Sequence, residues 1–310
     1  MNNRKQLIEV AQLYYYHQMT QNDIAKQCGI SRIKVSRMLQ RARDLGIVSI
    51  TINDSPSYEQ LEKTLEESFD LQKVLICDNV SNDVRVDLAQ KAGGYLNSIL
   101  QPGDIVAVGW GRTLEELSKY CYGNLGKDTM FTPLIGGHGV TNFNVHASTI
   151  ANRLAENYMA TASSLMAPAF ALTQSAANMY QNDPTIKHTL GLAKKANITI
   201  FSVGTPTDGD TTIQSTGYLS PNEINLIQSS KAACDIVSII FIDPMGYEIL
   251  PELAQRRISV SRETFEGIDK KICIAGGKKK HLSIFAALNG GYFDELVTDL
   301  ETAQYLIAQR

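Results

Sequence analysis

The 310-residue sequence is short of cysteine, has one tryptophan, and contains no long apolar run. Its five cysteines (Cys28, Cys77, Cys121, Cys234 and Cys273) are odd in number and far apart, with no CxxC pair and no histidine at ligand spacing. That excludes a disulfide framework and a zinc centre as organising devices. No stretch reaches the ~20 uncharged apolar residues of a bilayer span, and the opening MNNRKQLIEV carries no apolar leader. A cytoplasmic chain with no membrane partner, no metal and no cofactor is therefore expected. The composition that remains is 44% apolar, and the length suits about two domains.

Charge is unevenly placed. Residues 1–52 carry eight basic and three acidic side chains, whereas the whole chain has a formal net charge of −3. A basic head on an acidic body implies that only the head approaches a polyanion.

The head has the pattern of a helix-turn-helix. Leu7, Val10, Ala11 and Tyr14 repeat at helical spacing, predicting a first helix over 5–17. Thr20 suits an N-cap, supported by Asp23 three positions on, for a second helix running to about Gln27. Gly29 supplies the left-handed turn, and Ser31 caps a third helix running to about Asp44. Ile24, Ala25, Cys28, Ile30, Val35 and Met38 fall where two steeply crossing helices touch. The start of the third helix then presents Ser31, Arg32, Ile33, Lys34, Ser36 and Arg37 to a major groove. Arginine pairs bidentately with guanine, while Arg41 and Arg43 are placed for phosphates. GIVSITIND (46–54) alternates like a short strand, a candidate wing.

Ser55, Pro56 and Ser57 interrupt the pattern, and Tyr58, Leu61, Leu65 and Phe69 then form a helical stripe suited to join two subunits or to pack on the domain C-terminal to it, with packing the expectation. From there the chain alternates. KVLICD (73–78), DIVAVGW (104–110), MFTPLIGG (130–137), ITIFSVG (198–204), DIVSIIFID (235–243), KICIAGG (271–277) and ELVTD (295–299) are short apolar runs, separated mostly by helical segments. Runs apolar on both faces predict a parallel, or mostly parallel, α/β sheet covered on both sides. Ligands bind such sheets at the carboxyl ends of strands, where GWGRT, GGHG, VGTPTDG, DPMG and GGKKK occur. GWGRT (109–113) suits an anion, because its glycines admit backbone amides and Thr113 adds a hydroxyl. GGKKK (276–280) repeats the arrangement with cations, and Asp243 is placed either to accept sugar hydroxyls or to cap its own turn.

These residues resemble the SorC family of bacterial sugar-responsive transcriptional regulators over essentially the whole chain. The resemblance rests on VGWGRTL (108–114), PLIGG (133–137), IANRLAE (150–156), LMAPAF (165–170), SVGTP (202–206), STGYLS (215–220), FIDPMG (241–246) and RRISVSRETF (256–265), and above all on the closing run 273–306. It implies a helix-turn-helix domain, 1–54, followed by a Rossmann-like domain, 55–310, similar to sugar-phosphate isomerases and deaminases, that binds the effector and oligomerises. It implies further that Gly109, Trp110, Gly111, Arg112 and Thr113, with Lys280, hold a phosphate. Asp243 would hold hydroxyls, Gly136, Gly137 and Pro168 would shape the pocket wall, and Arg153 would make a structural pair. Two departures stand out. DIVSIIFID lacks the glycine this segment commonly carries, and Lys278 and Lys279 flank Lys280 as competing cations.

The expected protein is a non-enzymatic regulator of a carbohydrate operon. Its partners are operator DNA, a phosphorylated sugar, and itself as a homodimer or homotetramer. The alternative is an active sugar-phosphate isomerase or deaminase with a DNA-binding head. That chemistry needs a positioned base, for which Asp243, His138 and His146 are the candidates.

Overall fold

The computed structural model describes residues 2–15, 19–45, 47–48, 57–137, 139, 142–207 and 217–310, with the side chains of 2–4 excluded. The chain divides into two compact units, Met1–Pro56 and Ser57–Arg310.

In the first unit, α1 spans Asn2–Tyr15, α2 Gln21–Cys28 and α3 Arg32–Asp44. The caps read from the sequence form as bonds. Thr20 Oγ1 accepts from the Asp23 amide at 3.2 Å, and Ser31 Oγ accepts from the Lys34 amide at 3.2 Å. Gly29, at φ 64°, ends α2 in the left-handed conformation that side chains disfavour. Leu7, Val10, Ile24, Val35, Met38 and Leu39 are buried together, and Ala25, Cys28 and Ile30 pack on them. Ile47 and Val48 fold back, both amides donating to the Ala42 carbonyl; the rest of the candidate wing lies outside the described residues.

The second unit opens with α4, Glu59–Phe69. Its stripe packs on the main core of this unit, with Leu65 fully enclosed. Seven strands form a sheet in which every pairing is parallel: β1 (Lys73–Cys77), β2 (Ile105–Val108), β3 (Met130–Pro133), β4 (Thr161–Ala162), β5 (Ile198–Phe201), β10 (Lys270–Ile274) and β11 (Glu295–Asp299). Their order is β1-β11-β10-β5-β2-β3-β4. Helix α5, Val84–Ile99, connects β1 to β2. Two core clusters, one on either side of the sheet, contain β5 residues in alternation: Phe201 in one, Ile198 and Ile200 in the other. This is why the strands read as continuous apolar runs rather than alternating ones.

One expectation changes. DIVSIIFID is not a strand of the parallel sheet but a hairpin of β7 (Cys234–Ile236) and β8 (Ile240–Ile242). With β6 (Val203–Gly204) and β9 (Glu248–Ile249) it forms a separate four-stranded antiparallel sheet. The run hides its turn because Val237 and Ser238 adopt φ 55° and 59°, a conformation that turn glycines announce and these residues do not. The missing glycine noted in the sequence thus maps to a tight turn. Ser238 is fully buried there, its hydroxyl without a hydrogen-bond partner among the described residues.

Ser238→Gly relieves the left-handed backbone and removes the unsatisfied hydroxyl. It should stabilise the protein by ~1 kcal/mol, raising the thermal midpoint by about 2–4 °C. A midpoint at or below the wild-type value would contradict this account of the turn.

Candidate functional site

On the first unit, the outward face of α3 is as expected. Val35, Met38, Leu39 and Ala42 point into the core. Ser31, Arg32, Ile33, Lys34, Ser36, Arg37 and Arg41 are all exposed, and Ile33 retains 67% of its surface, a large apolar side chain left in solvent among cations. Such a residue suits a thymine methyl group. Arg43 behaves differently: its guanidinium donates to Gln40 Oε1 at 2.7 Å and to the Tyr15 hydroxyl at 3.3 Å. It braces α3 against α1 instead of standing free for a phosphate.

On the second unit, strand order decides where a ligand fits. The chain runs from β2 outward to β3 and β4, then returns to place β5 on the other side of β2 and continues to β10 and β11. The adjacent pair β5–β2 is therefore the switch point of the sheet, the crevice where open α/β sheets bind ligands. Gly109–Thr113 leave β2 at this crevice, and Ser202 leaves β5 beside them.

Gly109 packs tightly there, since a Cβ would stand 3.1 Å from that of Phe201 and 3.3 Å from Leu114 Cδ1. Gly111, at φ 114°, donates its amide to the Val145 carbonyl at 2.9 Å and starts α6, Arg112–Leu117. The Arg112 and Thr113 amides, in the first turn, have no acceptor within that helix. Arg112 is exposed, Thr113 buried, and Trp110 turned into the core.

The lysine run is resolved by burial. Lys278 and Lys279 are exposed, whereas Lys280 turns inward and its Nζ donates to Ser202 Oγ at 3.0 Å. Burial pushes this ammonium down to about 8, with the Arg112 and Arg85 guanidiniums adding to the drop. Arg85 is held by Asp83, its Nε at 2.8 Å and 3.0 Å from the two carboxylate oxygens. The glycines of GGKKK are not an anion cradle. The Gly277 amide donates to Asp299 Oδ2 at 2.6 Å and to Thr302 Oγ1 at 3.1 Å, and a Cβ on Gly276 would meet that same Asp299 oxygen at 2.2 Å. This turn serves to aim Lys280.

Two acids exchange prominence. Asp243 caps its own turn, its Oδ1 accepting from the Met245 amide at 2.9 Å and the Tyr247 amide at 3.0 Å, at the end of β8 in the antiparallel sheet. Asp235, which opens the run read as one strand, is buried. Its Oδ1 accepts from the Ser238 amide at 2.6 Å, and its Oδ2 stands 3.2 Å from where a Cβ on Gly204 would be. Burial pushes its carboxyl up to about 7, against the Ser238 bonds and the nearby charges of Arg257 and Lys280. An acid opening an otherwise apolar run was the one signal available, and a hairpin was needed to give it meaning. Ser202 and Asp235 are thus the polar groups that the spacing of residues did not single out.

The wall residues come together as expected. Gly136 passes so close to the Pro168 carbonyl that a Cβ would sit 2.4 Å from it, and Gly137 bridges Pro168. Arg153 donates to Asn144 Oδ1 at 2.6 Å and faces Glu115 at 3.9 Å, the structural pairing anticipated for it. His146 lies in the same loop, its imidazole pushed down by burial. His138 lies outside the described residues.

A helix-turn-helix unit and a parallel-sheet unit with a polar crevice at its switch point define the class of metabolite-responsive transcriptional regulators. Comparison with known proteins agrees. Residues 57–308 match the Sugar-bind family of sugar-binding domains. The chain is 30% identical over 304 residues to the deoxyribonucleoside regulator of Bacillus subtilis, covering 97% of this chain and 96% of that one. It is 28% identical over 307 residues to the sorbitol operon regulator of Klebsiella pneumoniae, covering 97% of each. The crystal structure of that full-length regulator, SorC, superposes with a TM-score of 0.76 at 27% identity, over 99% of this chain and 100% of the other. The chain belongs to the SorC family of sugar-responsive transcriptional regulators. Among the described residues no helix is long and apolar enough to cross a membrane.

The Asp235 carboxyl implies a measurable linkage. Between its ordinary value of 3.8 and its folded value of about 7, the folded chain keeps a proton that the unfolded chain has released. Stability therefore falls as pH rises through that window. Asp235→Asn retains an oxygen for the Ser238 amide but cannot ionise. It should remove a slope on the order of 1 kcal/mol per pH unit, read from unfolding midpoints of both proteins across the window. Parallel profiles would refute the assignment.

Proposed function

We infer that this chain regulates a carbohydrate-utilisation operon from the cytoplasm, with a DNA-binding domain over 1–54 and an effector-binding, oligomerising domain over 55–310. The effector is a phosphorylated sugar. The observation that carries this reading is the inward Lys280, bonded to Ser202 at the β5–β2 switch point beside the Gly109–Thr113 loop. A half-buried, inward-turned ammonium next to an exposed guanidinium and first-turn amides suits a phosphate dianion. Asp235 is better disposed than Asp243 to accept sugar hydroxyls, since it is near enough for the Lys280 charge to act on its carboxyl, whereas Asp243 caps the turn at the far end of β8. Gly136 and Gly137 close the wall. The relatives' names, which concern a deoxyribonucleoside and sorbitol, favour pentose and hexitol phosphates as the compounds to screen first.

On the head, Arg32, Lys34 and Arg37 with Ile33 and Ser36 read base edges, while Ser31 and Arg41 meet the backbone of operator DNA. Two or four copies place their heads on half-sites spaced by whole helical turns. A coupling of ~1–3 kcal/mol between sugar and DNA is enough to change operator affinity 5- to 150-fold. The enzyme reading draws on Asp235, whose carboxyl near neutrality has the value of a general base. The regulator names of the relatives weigh against it, and turnover of the bound sugar phosphate would restore it.

Arg37→Ala should weaken operator binding by about 1–3 kcal/mol in gel-shift titrations while sugar-phosphate stabilisation of the protein persists; an unshifted titration curve would remove Arg37 from the interface. For the pocket, effector affinity should fall about tenfold per pH unit above about 8, where Lys280 loses its charge. Lys280→Arg should flatten that profile, and a wild-type profile already flat by calorimetry would exclude Lys280 as the phosphate ligand.

A further inference from the structure

A second cleft, of about 660 Å³, opens between helix Pro184–Ala193 and the segment 254–264. Arg257 lines it and is only 7% exposed. Of its five guanidinium hydrogens, the one bond found among the described residues runs from Nη1 to the Ser238 carbonyl at 3.5 Å. No carboxylate stands within ion-pair distance of it there, although Glu248 and Asp235 act on it from farther away. Burial accordingly pushes the guanidinium down to about 10. A buried cation without a close counter-charge is costly to keep, and arginine is the side chain best shaped for a bidentate oxyanion.

The rest of the rim adds to the imbalance. Lys187 on the neighbouring helix and Lys194 at its C-cap, seven residues and about two turns apart on one face, are in no ion pair among the described residues, and both line the cleft. Arg262 is already neutralised, its Nη1 2.8 Å from Glu248 and its Nε 2.7 Å from Glu266. Glu263 is the remaining acid of the lining. Three unneutralised cations thus converge on one cleft, one of them at its buried base. We propose that this cleft is a second anion site, distinct from the β5–β2 crevice, that takes the phosphate or carboxylate group of a small metabolite. The occupant would compete with the Ser238 carbonyl for Arg257. Ser238 sits in the same left-handed turn whose amide holds Asp235, so occupancy would be felt at the crevice.

Hydrogen–deuterium exchange read by mass spectrometry tests this on the full chain, with inorganic phosphate against chloride at equal ionic strength and succinate as a carboxylate arm. At ~10 times the dissociation constant, exchange within 184–194 and 254–264 should slow roughly tenfold wherever opening releases the ion. Slowing by phosphate alone assigns a phosphate-bearing ligand, and slowing by both assigns a general anion site. Lys280→Gln should leave the effect intact, which separates this cleft from the crevice proposed for the sugar phosphate. Lys187→Gln with Lys194→Gln, two helix-surface changes compatible with folding, should abolish it. No slowing in either segment, or slowing that survives in the double variant, would overturn the proposal.

Discussion

The placement of one ammonium inside the second unit organises its chemistry. Lys280 is carried there by a glycine pair whose amide and Cα are pinned by Asp299, at the end of the neighbouring strand. Its Nζ reaches Ser202 across the end of β5. A charge held away from water is tolerated where fixed dipoles, an acid or an anion compensate it. Ser202 supplies the first, and Asp235 is near enough for the Lys280 charge to act on its carboxyl. Each group has a value moved toward neutrality by burial, so the pair is responsive to whatever enters.

The antiparallel sheet is the part of the fold that makes this arrangement possible. Without the turn at Val237 and Ser238, the buried Asp235 carboxylate would lack the Ser238 amide that it accepts from. The turn bends the chain back so that the Ser238 amide meets the Asp235 carboxylate and its carbonyl meets Arg257. Two left-handed residues without glycine are a local cost, and the bonds around them show what holds them in place. The same turn thereby connects the crevice to the cleft lined by Arg257.

The first unit depends on local rules to a greater degree. Its caps are each made within three or four residues, and its core residues follow the helical period. Thr20, Gly29 and Ser31 were legible for that reason. Arg43 was not, because its choice between a phosphate and the Tyr15 hydroxyl depends on how α1 crosses α3. In the second unit six of the seven parallel strands were legible from apolar runs, while β4, two residues long, left no run to read; the GWGRT and GGKKK loops were legible from glycine spacing. Whether those glycines bind an anion or merely let Asp299 approach is a long-range matter, and the answer differs between the two loops.

Motif resemblance pointed to the family. By itself, then, the sequence determined the helix-turn-helix with its caps, the α/β class and the strand ends at which polar loops gather. These follow from composition, period and capping, which act over a few residues. Tertiary structure alone decided that the 235–243 run turns back on itself, that Asp235 is buried against the Ser238 amide while Asp243 caps a turn, and that one lysine of three faces inward. Those outcomes depend on which strands become neighbours and on what is left buried between them, and pairing across many tens of residues has no signature in the spacing of any one segment.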